Sequence, residues 1–126
     1  MSPRTLVLLV LWAASALAQN RPVPAVEIQA QADDPVGESL AYNLREQVAA
    51  SNLMRPSNGT ESRYVVHLVT MDSSSSGHST EYSYAISYVS KNKDTYIGNT
   101  VGVCGATRVA ACATSVLAAL TTKVFP

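Results

Sequence analysis

Few side chains in this sequence are placed to carry out chemistry. The chain has two histidines. His67 lies within an apolar, β-branched run, where a hydrogen-bonded structural histidine is common, and His78 lies in a serine-rich stretch too flexible to hold reacting groups in place. A hydrolytic site needs a nucleophile, a base and an orienting group, and no serine stands in G-x-S-x-G or S-x-x-K. We predict no catalytic residue and keep one alternative, a small secreted hydrolase that uses His67 with an acid nearby in space.

The adjacent acids Asp33 and Asp34 have two interpretations. They could bind calcium or act as an acid and base, but they directly precede Pro35 and an amphipathic run. An Asp before a Pro in the first helical position is typical of a helix start, where the carboxylate caps free backbone N–H groups. We therefore favour capping. Since the glycines also lack the spacing of a phosphate-binding loop, we expect no cofactor and no metal.

The first residues have the three-part layout of a cleavable export signal. Arg4 precedes an apolar run over residues 6–14, and small residues follow, ending at Ala16 and Ala18. The run is shorter than the roughly 20 apolar residues that a spanning helix needs. We expect a signal peptide over residues 1–18, cleavage before Gln19, and a secreted or periplasmic protein. Residues 19–126 then form one domain with no membrane span.

The export signal determines how the two cysteines are interpreted. Cys104 and Cys112 are predicted to lie in an oxidising compartment, where thiols pair, so we expect one disulfide. It closes a short loop and contributes about 2 to 3 kcal/mol in the chain-entropy account. The spacing is not C-x-x-C, and two thiols without a nearby histidine make a poor zinc site. The pair is predicted to be structural.

The balance of charge argues against two classes of partner. Nine basic and nine acidic side chains leave no net charge, and like charges do not cluster. Nucleic-acid binding relies on clustered basic residues that neutralise phosphates, and docking on a membrane surface also needs a charged run. We therefore expect a protein partner, with a soluble carrier of a small ligand as another alternative.

The hydrophobic pattern predicts the element order β-α-β-β-β-α. Alternating or continuous apolar residues predict strands, and apolar residues every three to four positions predict helices. The expected strands cover residues 25–31, 64–72, 81–90 and 96–104, and the expected helices cover 35–51 and 107–124. Residues 55–62 are expected to be a loop and the serine-rich residues 73–79 a flexible one. The second strand, being mostly apolar, is expected to be covered on both faces.

This order predicts an α+β fold. It is a two-layer sandwich in which two helices pack on one face of a mostly antiparallel sheet of about four strands. Tyr82, Tyr84 and Tyr88 share one face of the third predicted strand. If that face is exposed, it is a rigid amphipathic surface suited to protein or glycan contact, and if it faces the helices, it is core. We favour core and keep the tyrosines as a candidate binding face.

A group of short patterns resembles a known class of domain. A short strand and an acidic turn precede Gly37-Glu-Ser-Leu40-x-x-x-Leu44, and a Tyr64-Val-Val strand follows. This opening is similar to that of bacterial envelope accessory domains of the TolB amino-terminal and CsgG-like type, over about the first half of residues 19–126. The resemblance implies a non-catalytic periplasmic domain that acts through protein contacts. Our leading hypothesis is therefore an exported accessory or binding module of the cell envelope.

Overall fold

A computed structural model describes residues 23–73 and 77–125, which form one mixed sheet of five strands with two helices on one face. The predicted signal peptide, residues 1–18, lies outside the described residues, as do residues 74–76 of the serine-rich loop. A 3-10 turn at Ala106–Arg108 precedes the second helix. In chain order the elements are β1 (Ala25–Gln31), α1 (Pro35–Ala50), β2 (Arg55–Pro56), β3 (Arg63–Asp72), β4 (Ser79–Ser90), β5 (Lys93–Gly105) and α2 (Val109–Val124).

The strand order across the sheet is β2-β1-β3-β4-β5. β1 is parallel to β2 and β3, while β3, β4 and β5 form an antiparallel meander. The α+β class, the two helices and the mostly antiparallel main sheet agree with the prediction, but the sheet has five strands where about four were expected. The additional strand lies in residues 55–62, which were predicted to be loop throughout. Arg55 N–H donates to the Pro24 carbonyl at 3.0 Å, so the chain pairs briefly with β1 before it turns away.

The start of α1 confirms the capping interpretation. Asp34 has extended backbone and is the N-cap, and its Oδ2 accepts a hydrogen bond from Gly37 N–H at 2.9 Å. Pro35 occupies the first turn, where its missing N–H costs nothing. The side chain of Asp34 also accepts a hydrogen bond from Thr70 Oγ1 of β3 at 2.6 Å. This carboxylate therefore joins the helix start to the central strand of the sheet.

The core lies between the two helices and one face of the sheet. The apolar stripe of α1 packs with that of α2 against the inward-facing residues of the strands, and fully burying each large side chain contributes about 1.5 to 3 kcal/mol. The largest fully buried apolar side chains of this core are Leu40, Leu44, Val48, Val66, Leu68, Val116 and Leu120. The predicted four-residue spacing in the first helix therefore marks its buried side.

The expectation that β3 is covered on both faces holds only for the start of the strand. Val66 and Leu68 are buried under the helices, and Val65 on the opposite face is also buried. Further along that opposite face, however, Val69 and Met71 are exposed. The reason is that both helices pack on the same side of the sheet, and no described helix lies over Val69 and Met71 on the other side.

The predicted disulfide is present. Cys104 at the end of β5 is bonded to Cys112 in α2, with the two Cα atoms 6.2 Å apart. The bond fixes the start of α2 against the end of the last strand, and Cys104 itself is buried in the core. None of the helices in the part of the chain that the structure describes is long and apolar enough to cross a membrane.

Candidate functional site: the uncovered face of the sheet

The sheet face opposite the helices, here called the open face, carries large apolar side chains in contact with solvent. The strand register aligns Val69 of β3 with Ser83 of β4, and Ser83 with Val101 of β5. The next row aligns Met71, Glu81 and Val103 in the same way. The four apolar members of these rows form the apolar patch, with exposures of 47% for Val69, 63% for Met71, 75% for Val101 and 65% for Val103.

The apolar patch lines a shallow, open-sided depression of about 500 Å³. Glu81 and Ser83 of β4 lie between its two apolar sides. Contiguous apolar surface of this kind, with polar residues beside it, is typical of an interaction site in a soluble protein. The geometry therefore suits contact with an apolar surface, and it provides no arrangement of polar groups for bond-making chemistry.

The sequence analysis did not single out this patch, although one signal for it was present. The residues of β5 that face the helices include Gly98 and Gly102, which offer no side chain to the core. Tyr82 covers Gly102 so closely that a Cβ there would lie 2.6 Å from the Tyr82 Oη. Glycines on one face of a strand and valines on the other indicate that the valines point away from the core. In β5 the large apolar side chains therefore point to solvent, whereas in most strands of a two-layer fold they point to the core.

The candidate tyrosine face points toward the helices. Tyr84 is 5% exposed and belongs to the core, which is the location favoured from the sequence. Tyr82 and Tyr88 are half-buried: the ring of Tyr82 stacks on that of Tyr84 with centroids 6.3 Å apart, and the ring of Tyr88 contacts that of Tyr64 of β3. Burial raises the pKa of Tyr82, and the nearby Tyr84 adds to the effect. These three side chains therefore do not form one exposed surface, and whether the outer edges of Tyr82 and Tyr88 bind anything stays a prediction.

His67 lies on the open face, where its Nε2 is 3.1 Å from Oγ of Ser87 across the β3–β4 pair. The two residues share a hydrogen bond, but Ser87 is only 6% exposed, which leaves its hydroxyl little access to a substrate. None of the salt bridges found among the described residues involves His67. His78 lies just before β4, and its carbonyl oxygen accepts a hydrogen bond from Ala106 N–H at 2.8 Å. The structure therefore does not bring the two histidines into one site.

The acidic pair is likewise divided. Asp34 is buried in the cap of α1, whereas Asp33 is exposed. Within residues 23–73 and 77–125, no group of three or more His, Cys, Asp or Glu residues is placed to hold a metal ion. The apolar patch, in contrast, combines exposure to solvent with a geometry that suits recognition of a partner.

The comparisons with known proteins bear on the fold. No protein-family model matches the chain, and no curated protein matches it. Among solved structures, TolB from Acinetobacter baumannii is similar, with a TM-score of 0.63 and 15% identity over 83% of this chain. The matched region is 29% of the TolB chain, so this protein spans less than a third of TolB's length.

Two weaker structural similarities accompany it. A protein of Caulobacter crescentus assigned as a lipoprotein has a TM-score of 0.46 and 15% identity, over 79% of this chain and 89% of that one. A Chlamydia trachomatis protein of no stated function has a TM-score of 0.38 and 9% identity, over 65% of this chain and 72% of that one. The similarity to TolB supports that part of the predicted resemblance at the level of fold, and no CsgG-like protein is among these three. Fold and site together define a two-layer α+β domain with an uncovered apolar sheet face.

Proposed function

We propose that this protein is an exported, non-catalytic accessory or binding module of a bacterial cell envelope, acting through protein–protein contact at the apolar patch. The observation that carries the proposal is the exposure of four large apolar side chains on a sheet face that no described helix covers. The export pattern of residues 1–18 supports a secreted or periplasmic location, and the TolB-like fold supports the choice of the envelope.

The chemistry of the apolar patch indicates the kind of surface that would bind it. Burying each large apolar side chain provides about 1.5 to 3 kcal/mol of favourable transfer energy, part of which is spent on the ordering that association requires. Glu81 is the one charged residue that lines the depression. We therefore expect a partner with an apolar centre, and an affinity that changes little with ionic strength.

Two alternatives have weaker support. The depression has the volume of a small-ligand site, but such sites enclose most of their ligand, and this one is open-sided. A hydrolase using His67 has a serine within hydrogen-bond distance, but that serine is buried and no acid is paired with the histidine among the described residues. Protein contact needs neither an enclosed cavity nor an accessible nucleophile.

We predict that Met71→Lys abolishes partner capture without changing the stability of the fold. Met71 is 63% exposed, so an ammonium there is solvated in the free protein, but it would be desolvated without a partner charge in the complex. The measurement is crosslinking in the native host, followed by mass spectrometry of what co-purifies with the tagged protein.

Tyr42→Lys is the matched control, because Tyr42 is also 63% exposed but lies on α1, away from the open face. This variant should capture the same partner as the unchanged protein. Equal capture by the Met71 and Tyr42 variants, with both folded, would rule out the apolar patch as the contact surface.

His67→Ala tests the hydrolase alternative. We expect no hydrolysis of ester, peptide or phosphate test substrates by the unchanged protein or by the variant. We also expect a loss of about 1 kcal/mol in the free energy of unfolding, because Ser87 loses its hydrogen-bond partner. Measurable activity in the unchanged protein that disappears in a folded His67→Ala variant would instead establish the hydrolase.

A further inference from the structure

The two edges of the sheet are built very differently. One edge is β2, which has two residues, one of them Pro56. The other is β5, which has 13 residues and pairs with β4 on its inner side only, among the strands that the structure describes. A long open edge presents a row of free backbone N–H and C=O groups, and proteins usually protect such edges with prolines, charges or short strands. The chain protects the first edge in this way and leaves most of the second unprotected.

The hydrogen-bond pattern identifies which backbone groups of β5 face outward. Ala106 N–H donates to the His78 carbonyl at 2.8 Å, directly beyond the Ser79–Gly105 pair of the β4–β5 ladder. Because the pairs of an antiparallel ladder alternate, residues with even numbers from 98 to 104 bond to β4. Asn99, Val101 and Val103 therefore direct their N–H and C=O groups to the free edge.

The surface around this edge carries few charges: Lys123 at the end of α2 lies over Gly98, its Cε 3.6 Å from the position of a Cβ there, and Glu81 of β4 lies beside Val103. From residue 95 to residue 122 the sequence contains one charged side chain, Arg108. The exposed residues of α2 beside the end of β5, Ala111 and Ser115, are small and neutral. The exposed side of α1, in contrast, carries Glu38, Arg45 and Glu46. The edge strand itself carries no charge from Asn99 to Gly105, which allows another main chain to approach this stretch closely.

We propose that two copies of the chain pair β5 against β5, antiparallel, about a twofold axis at Val101. Such pairing is self-complementary, as a twofold interface must be, and it joins the two sheets into one. The position of the axis follows from the strand itself: the ladder is irregular at Ile86/Ser87, opposite Ile97, and β5 ends at Gly105, so the regular stretch is centred on Val101.

Charge complementarity supports this register. With the axis at Val101, Asp94 of one copy lies beyond one end of the regular ladder, on the side of the 3-10 turn that carries Arg108 of the other copy, and the symmetry repeats this arrangement at the far end. Along the sequence, Asp94 and Arg108 are the first charged residues on the two sides of the regular stretch, and they have opposite signs. Asn99 lies opposite Val103 of the second copy, so the outward-facing backbone groups pair in register. Val69 and Met71 lie on β3, away from the edge.

The inference goes beyond the proposed function, because it uses the main chain of the edge and leaves most of the apolar patch free for another protein. The test is sedimentation equilibrium of the purified, oxidised protein. We expect the unchanged protein to dimerise, and Asp94→Arg or Arg108→Asp to raise the dissociation constant about tenfold, because each places like charges together at both ends. The double variant should restore the affinity of the unchanged protein. A monomer at all concentrations up to about 1 mM, or a double variant no tighter than either single one, would overturn the proposal.

A backbone substitution tests the pairing by a separate route. Val101→Pro removes an N–H that β4 does not use, so the fold should persist while the dimer is lost. Val101→Thr, which keeps the N–H, should remain dimeric. If the proline variant does not fold, the charge exchange alone decides the question. Met71→Lys should leave the dimer unchanged even where it abolishes partner capture, so failure of this inference and failure of the proposed function give different results.

Discussion

Gly37→Ala is expected to lower the free energy of unfolding by about 3 kcal/mol or more. A Cβ at this position would overlap the Oγ1 of Thr70 and would lie 2.5 Å from Oδ1 of Asp34. Neither neighbour can move away at little cost, because their side chains are hydrogen-bonded to each other and Asp34 also caps α1. The added methyl group therefore either strains this contact or breaks both hydrogen bonds. The measurement is the urea midpoint at an unchanged m-value.

Gly105→Ala is the matched control. A Cβ at Gly105 would meet nothing within 4 Å, and its backbone is in the extended region with φ −81°. We expect its stability to stay within about 0.5 kcal/mol of the unchanged protein. Equal free energies of unfolding for the two alanine variants would show that α1 and β3 are farther apart at Gly37 than these distances indicate.

Asp34→Ala should cost about 2 kcal/mol at neutral pH, because it removes the N-cap and also leaves the Thr70 hydroxyl without its acceptor. Burial alone would raise the pKa of Asp34, but hydrogen bonds from Thr70, Thr80 and the Gly37 backbone outweigh it and lower the pKa below the usual 3.8. A carboxyl with a lowered pKa in the folded state contributes stability above its unfolded pKa. That contribution is lost as the pH falls through the folded value.

The expected result is therefore a stability difference between the unchanged protein and Asp34→Ala that is constant near neutral pH and shrinks below about pH 4. Asp33→Ala is the control, because Asp33 is adjacent but exposed. A hydrogen bond from Arg55 lowers the pKa of Glu61 to about 2, so Glu61 titrates in the same acidic range. Its effect is common to both proteins and cancels in the difference. A difference that does not change between pH 7 and pH 2 would show that the charge of Asp34 is not what stabilises the cap.

The local parts of the fold were predictable because their signals lie close together in the sequence. Alternation over Ala25–Gln31 gave β1 with the bounds that the structure has, and the four-residue spacing from Val36 gave α1 to within one residue of its end at Ala50. Asp34 and Pro35 marked where that helix starts. Each of these signals reflects the conformation that a few neighbouring residues prefer. In these segments the folded structure adopts the preferred conformation.

The parts that were missed depend on contacts between distant segments. Arg55 and Pro56 become a strand because β1 offers them a free edge, and no local pattern reports such an edge. Alternation also identifies two faces of a strand without saying which one the helices cover. The tyrosines of β4 were expected to face the helices, and they do. Val69 and Met71 of β3 were expected to be buried, but both are exposed. The apolar patch could be found only once the positions of both helices were known.

The bond between Cys104 and Cys112 also simplifies oxidative folding. The chain contains two cysteines and no others, so a single molecule has one way to form an internal disulfide. The partners are eight residues apart in sequence and join neighbouring elements, so they meet as soon as the end of β5 and the start of α2 form. Such a chain needs an oxidant but no isomerase to correct wrong internal pairings. The one pairing error open to it is a bond between two molecules.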